Sequence, residues 1–62
     1  MKKGDRVRVI KAGDIYNNFE GVIVDEIDEA FMVVAINSSP TGKKFFPHRV
    51  TCWGGELEVI EQ

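Results

Sequence analysis

The sequence predicts an all-β fold, a single domain of five short strands curled into one small barrel. Three observations lead there. Apolar and polar residues alternate with period two in several stretches rich in Val and Ile, the signature of half-buried strands. Clusters of Gly, Asn, Asp, Ser and Pro separate those stretches, each residue type favouring turns for its own steric or hydrogen-bonding reason. The third observation is shortage: with 62 residues, one cysteine and one histidine, the chain holds neither an intramolecular disulfide nor a zinc cluster. A bent sheet that closes on itself is then the way for so few residues to surround one core and hide most strand edges.

The first strand is expected over Asp5–Lys11, with Val7 and Val9 on one face and Arg6, Arg8 and Ile10 on the other. Ala12–Asn18, containing Gly13, Asp14, Asn17 and Asn18, reads as a loop that carries Ile15 and Tyr16. A second strand follows over Phe19–Ile27, and Gly21 inside it signals a bulge or a close backbone approach. Asp28 and Glu29 form a tight turn. Ala30–Ile36 is apolar throughout and is expected to be a central strand covered on both faces. Asn37–Gly42 is a loop, Lys43–Val50 a strand with Pro47 near an end or an edge, Trp53–Gly55 a turn, and Glu56–Ile60 the last strand. A helical reading of Phe19, Val22, Ile23, Ile27, Ala30, Phe31 and Val34 also satisfies i, i+3, i+4 spacing. Gly21 and the many β-branched residues oppose it.

Composition excludes several classes. A hydrophobic fraction of 44% and a charged fraction of 29% separate the chain from disordered polymers. Asp5, Arg6 and Arg8 interrupt the start where a signal peptide needs an apolar run, and the longest apolar run, Ala30–Ile36, is far shorter than the roughly 20 residues of a membrane helix. A cytoplasmic location and no membrane partner are the resulting expectations. The net charge of −2 hides segregation: residues 1–11 carry +4, residues 12–36 carry −6, residues 37–53 carry +3 and residues 54–62 carry −3.

The pattern Gly4-Asp5-x-Val7-x-Val9, a loop with Gly13, then Gly21-Val22-x-Val24 resembles the KOW motif of SH3-like barrels in ribosomal proteins and transcription elongation factors. The ending, a turn followed by Glu56–Ile60, is similar to the short last strand that closes such barrels against the first. The resemblance implies a five-stranded SH3-like barrel in which Gly21 lets a strand bend. It further implies a binding role, either on RNA through basic loop residues or on a protein. SH3-like barrels also serve as docking modules, including small subunits of electron-transfer assemblies and phage or prophage proteins. The loop before Gly21 departs from the RNA-binding pattern, for it contains no Lys or Arg and ends in Glu20.

Catalysis is not expected. His48 and Cys52, four apart on one strand face, are the only pair resembling a base and a nucleophile, and no third group, glycine-rich phosphate loop or metal-ligand cluster joins them. Cys52 reads as a small buried hydrophobe and His48 is given no role. No cofactor is implied. Phe31 and one of Phe45 and Phe46 are expected to fill the core. Phe19 and Trp53 have two readings, as lids over the ends of the barrel or as members of an exposed aromatic surface. The leading expectation is a non-catalytic module that docks on a protein partner through Tyr16, Lys43, Lys44, Phe46, Arg49 and Trp53, residue types enriched at interface hot spots. The alternative is a nucleic-acid module using Lys2, Lys3, Arg6, Arg8, Lys43, Lys44 and Arg49 on phosphates. A third is a homo-oligomer joined across the apolar strand Phe31–Ile36.

Overall fold

The computed structural model describes residues 1–42 and 47–61. They form strands β1 (Arg6–Val9), β2 (Glu20–Glu26), β3 (Phe31–Ser38), β4 (His48–Trp53) and β5 (Leu57–Glu61), with a 3-10 turn at Gly54–Glu56. No α-helix occurs among the described residues, so the helical periodicity over 19–34 is not realised. The strands make one antiparallel sheet in the order β4-β3-β2-β1-β5. Asp5, expected inside the first strand, lies just before it. Its carboxylate accepts the Lys2 amide at 3.0 Å, and Gly4 supplies the positive φ of 95° that this turn needs.

Buried side chains alternate with exposed or half-buried ones and place one apolar set on one face. Val7 and Val9, Ile23, Met32, Val34 and Ile36, Cys52 and Leu57 make the core. No second sheet or helix forms among the described residues, so the sheet has to curve over its own apolar face. The connection between the edge strands shows that it does. A flat sheet of five strands would hold β4 and β5 roughly 19 Å apart. Only the 3-10 turn Gly54–Glu56 joins them, and three such residues advance about 6 Å. The Gly54 amide donates to the Ala30 carbonyl at 2.7 Å and the Ile10 amide to the Glu56 carbonyl at 2.8 Å, tying the turn to both sides of the sheet. The radius of gyration, 10.5 Å, matches the value of about 10.6 Å for a compact chain of this length.

Bulges supply the bend. The β2–β3 register shifts at Glu20/Gly21 and again at Ile23/Asp25, and the β1–β5 register shifts at Arg6/Val7. At Gly21 β2 lies tight against β3: a Cβ there would meet the Ala35 carbonyl oxygen and would stand 2.9 Å from Val34 Cγ1. The bulge and the close approach signalled by the sequence are thus both present. β5 pairs with β1, with Val59 opposite Val7 and Leu57 opposite Val9.

Four expectations are corrected. The sheet is curved but not closed into a barrel, because β4 and β5 remain edge strands with no ladder between them. β3 is not covered equally on both faces: Met32, Val34 and Ile36 are buried, whereas Phe31 is exposed and Val33 and Ala35 are half-buried. Phe31 therefore does not fill the core, which is built from aliphatic side chains, Met32 and Cys52. An all-apolar run carries no parity signal, and its register is fixed by its partners, Met32 opposite Cys52 and Val34 opposite Val50. Trp53, expected in a turn, is the last residue of β4, and Pro47 directly precedes that strand. Phe45 and Phe46 lie outside the described residues.

Gly21→Ala is expected to destabilise the domain by about 1–3 kcal/mol, the usual cost of forcing extra atoms into a packed site. The urea midpoint measures it; an unchanged midpoint would contradict the tight approach of β2 to Ala35.

Candidate functional site

The connection between β1 and β2 folds back on itself. The Asn18 amide donates to the Val9 carbonyl at 2.7 Å, and the Val9 amide to the Phe19 carbonyl at 2.8 Å. Asn18 takes a positive φ of 70°, a conformation that Asn tolerates better than most residues. The Asp14 carboxylate accepts the Tyr16 amide and the Asn17 side chain accepts the Lys11 amide, both at 2.9 Å. These bonds set Tyr16 edge-on to Phe19, with ring centroids 5.6 Å apart, and both rings pack against the core. Phe19 is therefore a lid over the apolar face. So, in part, is Tyr16.

The Tyr16 hydroxyl meets His48 Nε2 at 2.6 Å, joining the loop to the first residue of β4. Between loop and strand lies a cleft of about 120 Å³ bordered by Val9, Lys11, Asp14, Tyr16, Cys52 and Glu56. It is smaller than the roughly 300 Å³ of an ordinary ligand pocket. Lys11 Nζ stands 3.1 Å from Glu56 and 3.7 Å from Asp14. The hydrogen bond and charge of Glu56, then Asp14, hold its pKa above the usual value. Burial, followed by the Glu56 charge, pushes the Cys52 thiol up. Cys52 is thus a protonated thiol at neutral pH, the unreactive form. His48 does not activate it: four residues of strand separate the two by about 13 Å.

The face of the sheet away from the core divides in two. On one half, Arg6 lies 3.4 Å from Glu20 and 3.1 Å from Glu61, and Arg8 lies 3.2 Å from Glu20. Antiparallel pairing has stitched the basic first segment to acidic segments on both sides. On the other half Phe31 stands opposite Trp53 across the β3–β4 ladder, and both are exposed, by 43% and 52%. The Trp53 ring lies against Gly55, where a Cβ would fall 2.6 Å from the indole carbon Cη2. Ile27, exposed by 59%, is held next to Phe31 by its amide, which donates to the Phe31 carbonyl at 2.9 Å.

The residues singled out in the sequence are therefore spread over two faces. Tyr16 faces the core side, whereas Arg49 and Trp53 alternate with the inward Val50 and Cys52 and face away. Lys43, Lys44 and Phe46 lie outside the described residues. Among the basic candidates, Arg6 and Arg8 are committed to carboxylates, and Arg49 sits three strands from Arg6 along the row Arg49, Ala35, Val22, Arg6, about 14 Å away. Lys2 and Lys3 are exposed at the start of the chain. Arg49 is thus set apart from Arg6 on that face. His48, for which no role is expected, holds the Tyr16 hydroxyl, and Phe31, expected in the core, is exposed. The signal for His48 was Tyr16 itself, a buried-leaning phenol in a polar loop whose hydroxyl needs a partner.

Among the described residues no cluster of three or more His, Cys, Asp or Glu side chains is placed to hold a metal ion, and no helix is long and apolar enough to cross a membrane. No model of a protein family, no curated protein and no solved structure matches the chain.

The raised thiol pKa gives a signed pH effect. Above about pH 8.5 the unfolded chain loses the Cys52 proton while the folded chain keeps it, so stability falls as pH rises through the unfolded value. Urea titrations between pH 7 and 9.5 are expected to show a decline that is smaller in Cys52→Ala; equal slopes in the two proteins would contradict the burial of the thiol.

Proposed function

We propose that the chain is a small non-catalytic docking module of SH3-like type that binds a protein partner. The observation that carries this reading is the exposed cross-strand pair Phe31 and Trp53, with Ile27 beside it. Large apolar side chains left half exposed outside the core of so small a domain cost solubility, and a contiguous exposed patch of this kind marks an interaction surface. Trp is among the residues most enriched at the energetic centres of interfaces, and Arg49 on the same face of β4 adds a second such type. The order of the strands and the pairing of β5 with β1 support the SH3-like reading, with the β4–β5 seam left open. The ion pairs of Arg6 and Arg8 favour a protein over a phosphate backbone, since those guanidinium groups already have carboxylate partners.

Photo-crosslinking in the native host tests this. A photoreactive residue placed at position 33, between Phe31 and Ala35 on the same face, is expected to give a discrete protein adduct that Phe31→Ser and Trp53→Ser each reduce at least about tenfold, the loss of one hot-spot side chain. Adducts unaffected by both substitutions, or none at all, would overturn the docking face. Nucleic-acid binding would show instead as a mobility shift on mixed DNA and RNA that weakens steeply between 50 and 200 mM salt; none is expected.

A further inference from the structure

The connection from β2 to β3 is the most acidic stretch of the sequence. Asp25, Glu26, Asp28 and Glu29 stand within five residues of one another, with exposed Ile27 among them. Two of these carboxylates serve the local backbone. Asp28 Oδ1 accepts the amides of Ala30 and Phe31 at 2.7 and 3.0 Å, which shapes the turn, and Asp25 Oδ1 accepts the Glu26 amide at 2.9 Å. None of the four takes part in an ion pair among the described residues; the cations that do pair, Arg6, Arg8 and Lys11, are engaged with Glu20, Glu61, Asp14 and Glu56. Lys2 and Lys3 follow Met1 closely in the chain, yet neither pairs with this turn.

The turn also borders an open groove of about 500 Å³ whose walls are Glu26, Asp28 and Glu29 and whose apolar lining is Met1 and Met32. An apolar floor under carboxylate walls suits a long cationic side chain: the methylene stem lies on the thioethers while the charged head meets the carboxylates. On the other side of the same turn, Ile27, Phe31 and Trp53 offer an apolar surface and an aromatic face to a neighbouring side chain. Building on the docking role, we infer that the partner presents a basic segment, Lys or Arg interspersed with large apolar residues, and that this segment lies across the β2–β3 turn. Charge complementarity selects this partner. An acidic partner would be repelled by four carboxylates that form no ion pair among the described residues, and a neutral one would desolvate those of the groove wall without supplying a counter-charge.

Two acetylated, amidated ten-residue peptides test the inference, one alternating Lys with Leu and one alternating Glu with Leu, titrated calorimetrically at 20 and 200 mM salt. The Lys-Leu peptide is expected to bind, and the Glu-Leu peptide not. Affinity for the former is expected to fall about tenfold at the higher salt as exposed charges are screened, and about tenfold in Glu26→Gln/Glu29→Gln. Those two positions leave the Asp28 turn intact, a thermal melt verifies the fold, and the single Glu29→Gln variant, expected to lose part of the affinity, serves if the double variant is unstable. Equal binding of both peptides, no binding of either, or full affinity in the variants would overturn the cationic partner. The crosslinking adduct separates the two readings. If Phe31→Ser abolishes it and Glu26→Gln/Glu29→Gln leaves it intact, docking stands and the basic partner falls; if Phe31→Ser and Trp53→Ser leave it intact, docking itself falls.

Discussion

A single sheet with no second layer can shield its apolar face only by bending over it, and in this chain the bend depends on the missing side chain at Gly21. There β2 comes against the Ala35 backbone and Val34, and the register slips by one residue at Glu20/Gly21 and again after Ile23. The rest follows from that curvature. Val7 and Val34 are completely buried, and the two edge strands come near enough for a three-residue turn to join them. The first loop completes the cover, with Phe19 and Tyr16 laid over the open side and the Tyr16 hydroxyl fastened to His48. A domain of this size commands little core volume, and here that volume is supplied almost wholly by branched aliphatic side chains with few rotamers to lose.

The same pairing that builds the core distributes the charge. Blocks of opposite sign are separated along the chain and become neighbours across the ladders, so that Arg6 and Arg8 lie between Glu20 on one side and Glu61 on the other. Exposed pairs of this kind add little stability. Their effect is on recognition, because they neutralise the half of the outer face that β1 and β5 provide. The carboxylates around the β2–β3 turn have no such counterparts in ion pairs among the described residues. Surface potential is therefore uneven in a chain whose formal charge is only −2.

Much of the fold was legible in the residues. Alternation in Val7 and Val9 and in Leu57 and Val59, the turn formers of the first loop, and Gly21 each carry a local physical cause that survives in the folded chain. What was not legible depended on partners. Ala30–Ile36 offers seven apolar residues with no polar one to mark the outer side, and only Cys52 and Val50 across the ladder decide that Met32 and Val34 turn inward and Phe31 outward. Closure of the barrel depended on whether two edges meet within hydrogen-bonding distance, a distance that no periodicity encodes. The candidate site was legible in its residue types and not in its geometry: Tyr16 and Trp53 belong to opposite faces, and the acidity of residues 25–29 acquires meaning only beside Met32, Phe31 and Trp53.

The pairing of β5 with β1 has one more consequence. Arg6 and Glu61 are directly opposite and their side chains touch at 3.1 Å, so the first strand begins beside the end of the last. A unit with adjoining entry and exit points is geometrically equivalent to a hairpin turn. It can replace a surface loop of a larger protein without prising apart the strands that flank the insertion, and it can be carried at either end of another chain with the Phe31 and Trp53 face in the same relation to the point of attachment.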